Sequence, residues 1–223
     1  MTSMKIIVLG NDGILGECSR KFHPLKCVPV EEHAAALGEC NIDDVIFDFM
    51  IADHPDAISA YASRSVTVFL NTCFARLGSL VSPGSTGKAK FFGFSGMPTF
   101  VEREHLEVAL LDPTHESILS PVCEKLGTAF VKVKDQVGLA TPRVVCMIIN
   151  EAFLSAEEGI ASREDIDTAM KLGTNYPYGP FEWCEQIGAA NVCRLLEAVY
   201  RESGDERYRV APSLRNKALS KSR

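Results

Sequence analysis

The sequence predicts an α/β domain built on a mostly parallel sheet, followed by an all-α domain, and three observations carry that prediction. Short aliphatic runs alternate with helix-length segments as far as Lys134, the first run passes into a helix through glycines, and from Arg143 onward only helical spacing remains.

The run KIIVL from Lys5 to Leu9 stops at Gly10, and a helix from about Ile14 to Phe22 follows, closed by Pro24. Lys26 to Val30 reads as a second strand leading into the acids Glu31 and Glu32. His33 to Glu39 offers barely two helical turns, and Asp44 to Met50 reads as a buried third strand. A short helix over Ala57 to Ala62, a strand over Ser65 to Asn71 and a helix over Phe74 to Val81 lead to a loop from Pro83 to Gly87. Strands over Lys90 to Ser95 and His105 to Leu111, a helix from Thr114 to Leu126 and a strand from Ala129 to Lys134 complete the first domain. The boundary falls near Val137, giving domains over 1–136 and 137–223.

In the second domain Val144, Met147, Ile148, Phe153 and Leu154 give the segment Arg143 to Glu158 one wide apolar face, and Gly159 stops that helix. Ser162 is a good N-cap for the next, with Asp165 three residues on, where a carboxylate suits the exposed N–H groups and the helix dipole. Gly179-Pro180 opens a further helix with proline in the first turn, where its missing donor costs nothing.

Composition bounds the function. With 223 residues, 46% of them hydrophobic and 23% charged, the chain can bury a real core. A net charge of -6 argues against nucleic acid as a partner, because phosphate recognition needs gathered Lys and Arg. Only the tail residues Arg215, Lys217, Lys221 and Arg223 are locally basic, and the expectation is that they are simply solvated. The 8 cysteines are scattered singly without a C-x-x-C pair, so neither a metal site nor a disulfide framework is expected. Ile6 to Leu9 is too short for a signal sequence, and no run approaches the ~18 apolar residues of a membrane span. A soluble, reduced, cytoplasmic protein is expected.

The stretch DIDTAMKLGTNYPYGPFE, from Asp165 to Glu182, resembles the C-terminal domain of the 3-hydroxyacyl-CoA (3-hydroxybutyryl-CoA) dehydrogenase family. The run VKVKDQVGLATPR ending at Arg143 is similar to the crossing into that domain, and Asn150-Glu151-Ala152 lies on its long helix. Ala89 to Pro98 and Leu106 to Val108 are weaker matches to the end of the nucleotide-binding domain. The resemblance implies a shortened Rossmann-like sheet domain, NAD as cofactor, an acyl-CoA thioester as substrate, fatty-acid metabolism, and a homodimer built by the helical domain. The motif itself reads as packing and dimerisation rather than chemistry.

A dinucleotide site asks for G-x-G-x-x-G between strand and helix and an acid about 20 residues on for the ribose. Here the cofactor-binding candidates are Gly10, Gly13 and Gly16, with Glu31 or Glu32 as the ribose acid. The loop carries one residue too many between its first two glycines, Asp12 puts a carboxylate where phosphates would approach, and the segment between Glu32 and Asp44 is much shorter than the family's. Weak or absent NAD binding is expected.

Moving a proton while hydride passes to or from nicotinamide is, in the family, the work of a His held by a Glu, with Ser and Asn on the substrate oxygen. The resemblance puts the Glu on Glu107 and the His at or beside Ser95; the Ser after Asn71-Thr72 is Cys73, and the Asn before Arg143 is Pro142. His105 lies two residues before Glu107 on one strand face, so a relocated pair is one reading and a half-exposed edge histidine the other. The catalytic candidates are therefore Glu107, Ser95, Asn71 and His105, with no metal. The functions in contention are a divergent NAD-dependent dehydrogenase, a non-catalytic dimeric homologue that binds acyl-CoA or regulates, and a subunit of a heterodimer.

Overall fold

In the computed structural model, residues 4–41, 43–82, 84 and 86–220 are described. Pro83 and Ser85 of the expected loop, and Lys221 and Arg223 of the basic tail, lie outside them. The chain divides into two compact units, Met1–Leu139 and Ala140–Arg223.

The first unit is a seven-stranded sheet in the order β2-β1-β3-β4-β5-β6-β7. Its strands are β1 (Lys5–Leu9), β2 (Lys26–Val30), β3 (Val45–Asp48), β4 (Thr67–Asn71), β5 (Lys90–Phe94), β6 (His105–Leu110) and β7 (Ala129–Lys132). All neighbours run parallel except β5 and β6, which pair antiparallel through Phe92 with Leu110 and Phe94 with Val108. Side chains alternate across the strands, so the sheet has two cores. On one face Ile6, Val8, Phe47, Phe69, Phe92 and Phe94 pack against α1 (Asp12–Lys21) and α5 (Glu116–Leu126). On the other, Ile7, Leu9, Ile46, Val68, Leu70 and Phe91 pack against α2 (His33–Glu39), α3 (Ala57–Ala62) and α4 (Leu77–Leu80). Phe47 and Phe69 stack in parallel at 4.7 Å, and Phe94 meets Phe47 edge-on at 5.2 Å, both favourable ring geometries.

The helix expected over Phe74 to Val81 is in fact the single turn Leu77–Leu80. The Asp135 carboxylate accepts the Leu77 and Gly78 N–H groups at 2.7 and 2.8 Å, which fixes the helix start there. The third strand is also shorter than Asp44 to Met50. The Asp44 side chain accepts from Lys5 N and Asn41 N, and Asp48 turns back to accept from Met50 N, so both ends are closed by carboxylates.

The second unit contains α6 (Thr141–Glu157), α7 (Arg163–Thr174), α8 (Pro180–Ile187), α9 (Ala189–Ser203) and α10 (Pro212–Ser220). The DIDTAMKLGTNYPYGPFE stretch is a helix-to-helix joint. Asp167 of α7, 8% exposed, accepts from Phe181 N at 2.8 Å and Glu182 N at 3.1 Å, so one helix caps the next. A Cβ at Gly179 would lie 2.2 Å from the Asp167 carboxyl carbon, which is why only glycine fits. Glu182 returns to Gly179 N at 3.0 Å and receives Lys171 at 2.6 Å. Phe181 packs on Phe153 at 4.8 Å, and Trp183 lies against Tyr176 and Tyr178.

The basic tail is not merely solvated. Leu214 is fully buried, Arg215 pairs with Glu197 and Lys217 with Glu185, and Asn150 of α6 binds Arg209 O and Ala211 N just ahead of the last helix. A single buried leucine at helical spacing is too weak a pattern to announce docking.

Candidate active site

The carboxyl ends of parallel strands, where an open α/β sheet keeps its ligand crevice, are the natural place to look. The crossing that reverses strand order lies between β1 and β3, so Gly10, which follows β1, stands at the switch point.

At that point the chain satisfies itself. Asn11 N-caps α1, its side chain accepting from Ile14 N at 3.0 Å, and Asp12 occupies the first turn. A neutral amide therefore already uses one of the donors a pyrophosphate would take, and an exposed carboxylate repels the rest of its charge. A Cβ at Gly10 would press on Ile14 at 3.1 Å, so that glycine answers a local packing need. At Gly13 it would meet only Asn11 Oδ1 and at Gly16 only the flexible tip of Arg20, each at 3.3 Å. Glu31 follows β2 and is exposed. These residues fit an anionic dinucleotide poorly, because a carboxylate and a self-made cap stand where its phosphates would bind.

Further along the same edge, Asn71, Cys73, Ser95 and Glu107 come together. Asn71 is 3% exposed, and its carboxamide oxygen accepts from both Cys73 N and Gly96 N at 3.2 Å, joining the ends of β4 and β5. Gly96 is the residue that lets this happen, since a Cβ there would lie 2.7 Å from the Asn71 carboxamide carbon. Ser95, 5% exposed, receives the Cys73 thiol at 3.9 Å. Burial pushes that thiol up to about 11, the Ser95, Gly96 and Met97 hydrogen bonds oppose the shift, and the Glu107 charge adds to it. Cys73 stays protonated at neutral pH and is a poor nucleophile.

His105 opens β6, which lies between β5 and β7 rather than at the sheet edge, and is half-exposed, with its Nδ1 4.0 Å from the Glu104 carboxylate. Pro142 is in the first turn of α6 in the helical unit. Among the described residues no group of three or more His, Cys, Asp or Glu could hold a metal, and no cysteine forms a disulfide.

Two clusters escaped sequence reasoning. Glu17 of α1 accepts Thr99 N with both carboxylate oxygens, at 2.9 and 3.1 Å, and thereby holds a β-branched residue at φ 75. Asp48, with no exposure at all, ends β3 and accepts from Met50 N at 2.8 Å and Tyr61 OH at 3.0 Å, while its Oδ2 meets His33 Nε2 at 3.0 Å. The available signal for the second was an acid closing an otherwise apolar strand.

The family profile described as 3-hydroxyacyl-CoA dehydrogenase, C-terminal domain, matches residues 138–222. The chain is similar to the 3-hydroxyadipyl-CoA dehydrogenase of Escherichia coli, at 46% identity over 99 residues that are 44% of this chain and 21% of that protein. It is also similar to the probable 3-hydroxybutyryl-CoA dehydrogenase of Bacillus subtilis, at 39% identity over 42% of this chain and 33% of that one. The matched stretches thus span a third or less of these two relatives. Among solved structures, (S)-3-hydroxybutyryl-CoA dehydrogenase PaaH1 from Ralstonia eutropha shares the fold, with a TM-score of 0.69 at 21% identity over 98% of this chain and 94% of that one.

Proposed function

We propose that the chain is a divergent member of the 3-hydroxyacyl-CoA dehydrogenase family that serves acyl-CoA metabolism with weak or lost NAD-dependent 3-hydroxyacyl-CoA oxidoreductase activity. One observation carries this reading. Where the resemblance puts the substrate-oxygen ligands and the acid–base pair, Cys73 stands for serine, Pro142 for asparagine and Ser95 for histidine, and the neighbouring Asn71 already accepts from two backbone amides. Losing a positioned general base alone lowers rates by roughly 10²- to 10⁴-fold. Whatever turnover remains would draw on Glu107 with His105 as a displaced base. The expected result with acetoacetyl-CoA and NADH is turnover far below that of a complete dehydrogenase, and robust turnover would sink the proposal. His105→Ala should abolish the residue of activity; an unchanged rate removes His105 from the reaction.

NAD is the cofactor implied by the family, and the capped, acidic start of α1 supports weak binding at best. Isothermal titration should show no tight, saturable heat with NAD. The acyl-CoA thioester is the substrate class, the homodimer is the assembly, and cysteines that form no disulfide among the described residues suit a cytoplasmic setting.

A second reading, a non-catalytic homodimer that binds acyl-CoA or regulates, is favoured by the burial of Asn71, Cys73 and Ser95. It predicts saturable acyl-CoA binding in a protein with no detectable hydride transfer.

A further inference from the structure

The buried acid at the end of β3 has no part in the reaction proposed above, yet it accepts from Met50 N and Tyr61 OH and meets His33 Nε2. We propose that His33, Asp48 and Tyr61 form a proton-linked clamp that fixes the start of α2, and the Glu31-Glu32 turn ahead of it, to the carboxyl end of β3.

The geometry points to a clamp because Asp48 is fully buried and its Oδ2 is shared between Tyr61 OH at 3.0 Å and His33 Nε2 at 3.0 Å. An ionised carboxylate without water is stable only when its lone pairs are taken, and breaking such a buried set leaves an uncompensated charge. His33 is the first residue of α2, so this contact ties the α2 segment to the middle of the sheet, while Tyr61 ties α3 to the same atom. The imidazole keeps 16% of its side chain exposed, enough to exchange a proton with solvent.

The groups facing His33 come from three places. β3 supplies Asp48, α3 supplies Tyr61 edge-on at 6.0 Å, and the segment between them supplies His54 edge-on at 5.4 Å together with the charge of Asp56. Cys40, just past α2, acts on Tyr61. The hydrogen bond to Asp48 raises the His33 pKa above its ordinary value, burial opposes that, and the Asp48 and Asp56 charges add to it. Tyr61 is pushed far up, first by burial and then by Asp48, so it stays a neutral donor.

The sign follows from linkage. A histidine whose pKa is higher folded than unfolded binds more protons when folded, so its contribution is complete below about 6.5, the unfolded value, and is lost as pH rises through the folded value. Above that point neutral His33 can still donate from Nε2, but without the ionic attraction.

The test uses the full chain. Proton NMR of the histidine rings should show one, assigned by its loss in His33→Gln, titrating above the ordinary range and falling back in Asp48→Asn. Amide exchange of residues 31–40 should be several-fold slower at pH about 6 than at pH about 8.5 in the native protein, beyond the intrinsic pH dependence, and show no such excess in His33→Gln. Tyr61→Phe should keep the pH dependence, since it leaves the ion pair in place. If Asp48→Asn does not fold, the native and His33→Gln data still decide. A His33 ring titrating at or below 6.5, or an exchange ratio identical in native protein and His33→Gln, overturns the clamp.

Discussion

Single residues decide where this chain is stiff. Asp167 supports α8 with two hydrogen bonds from a carboxylate that is nearly buried, and bonds of that kind are worth roughly 1.5–3 kcal/mol each. Asp167→Ala is expected to lower unfolding free energy by about 2 kcal/mol or more, read by urea denaturation. Gly179→Ala should be similarly damaging through the clash at the same carboxylate. Glu17 behaves in the opposite way. Its pKa is raised from 4.5, first by burial and against the Thr99 hydrogen bond, so the ionised form of Glu17 weakens the fold. Glu17→Gln keeps an acceptor for Thr99 N and should be at least as stable as the native protein at neutral pH. The advantage should shrink on acidification toward 4.5, because the native Glu17 regains its share of stability as it binds a proton. Residue roles were only partly legible in the sequence. The crowding of Asn71, Ser95 and Glu107 followed from family alignment, whereas the Asp48 cluster joins residues 13 and 15 positions apart, and the Glu17 contact spans 82. Such side-chain contacts have no period to read.

Elements were far more legible, because strands and helices announce themselves through local spacing. β1, β2, α2 and α3 fall on the residues their patterns select, and the strand-helix alternation gave the parallel sheet. Ends were misjudged where a distant side chain sets them. α4 lost its first turn to a carboxylate 58 residues away, which no local pattern encodes. Asp135→Ala should therefore unravel α4 without unfolding the sheet. The expected signature is a drop in amide-exchange protection at Leu77 to Leu80, with stability reduced by about 1–2 kcal/mol. In the same way Phe69→Ala, which empties the middle of the ring stack, should cost about 3–5 kcal/mol and be visible in denaturant midpoint.

For the molecule as a whole, the helical unit carries the match to the 3-hydroxyacyl-CoA dehydrogenase C-terminal domain, and the sheet unit carries the candidate site. The helical unit also presents Val144, Ile160, Leu172 and Leu219, all more than half exposed, and the homodimer reading assigns such residues to an interface. Light scattering should give twice the chain mass for the native protein and a single-chain mass for Ile160→Glu combined with Leu172→Glu; a native monomer at micromolar concentration would remove the homodimer. Trp183, the one tryptophan of the chain, sits in α8 against Tyr176 and Tyr178, and the sheet unit holds a single tyrosine, the buried Tyr61. Light emitted at tryptophan wavelengths therefore reports the helical unit alone, while far-ultraviolet dichroism sums over both. Followed through one denaturant titration, the two signals will superimpose only if both units melt as one, and any gap between the curves measures, without a label, how independently each half of the chain stands.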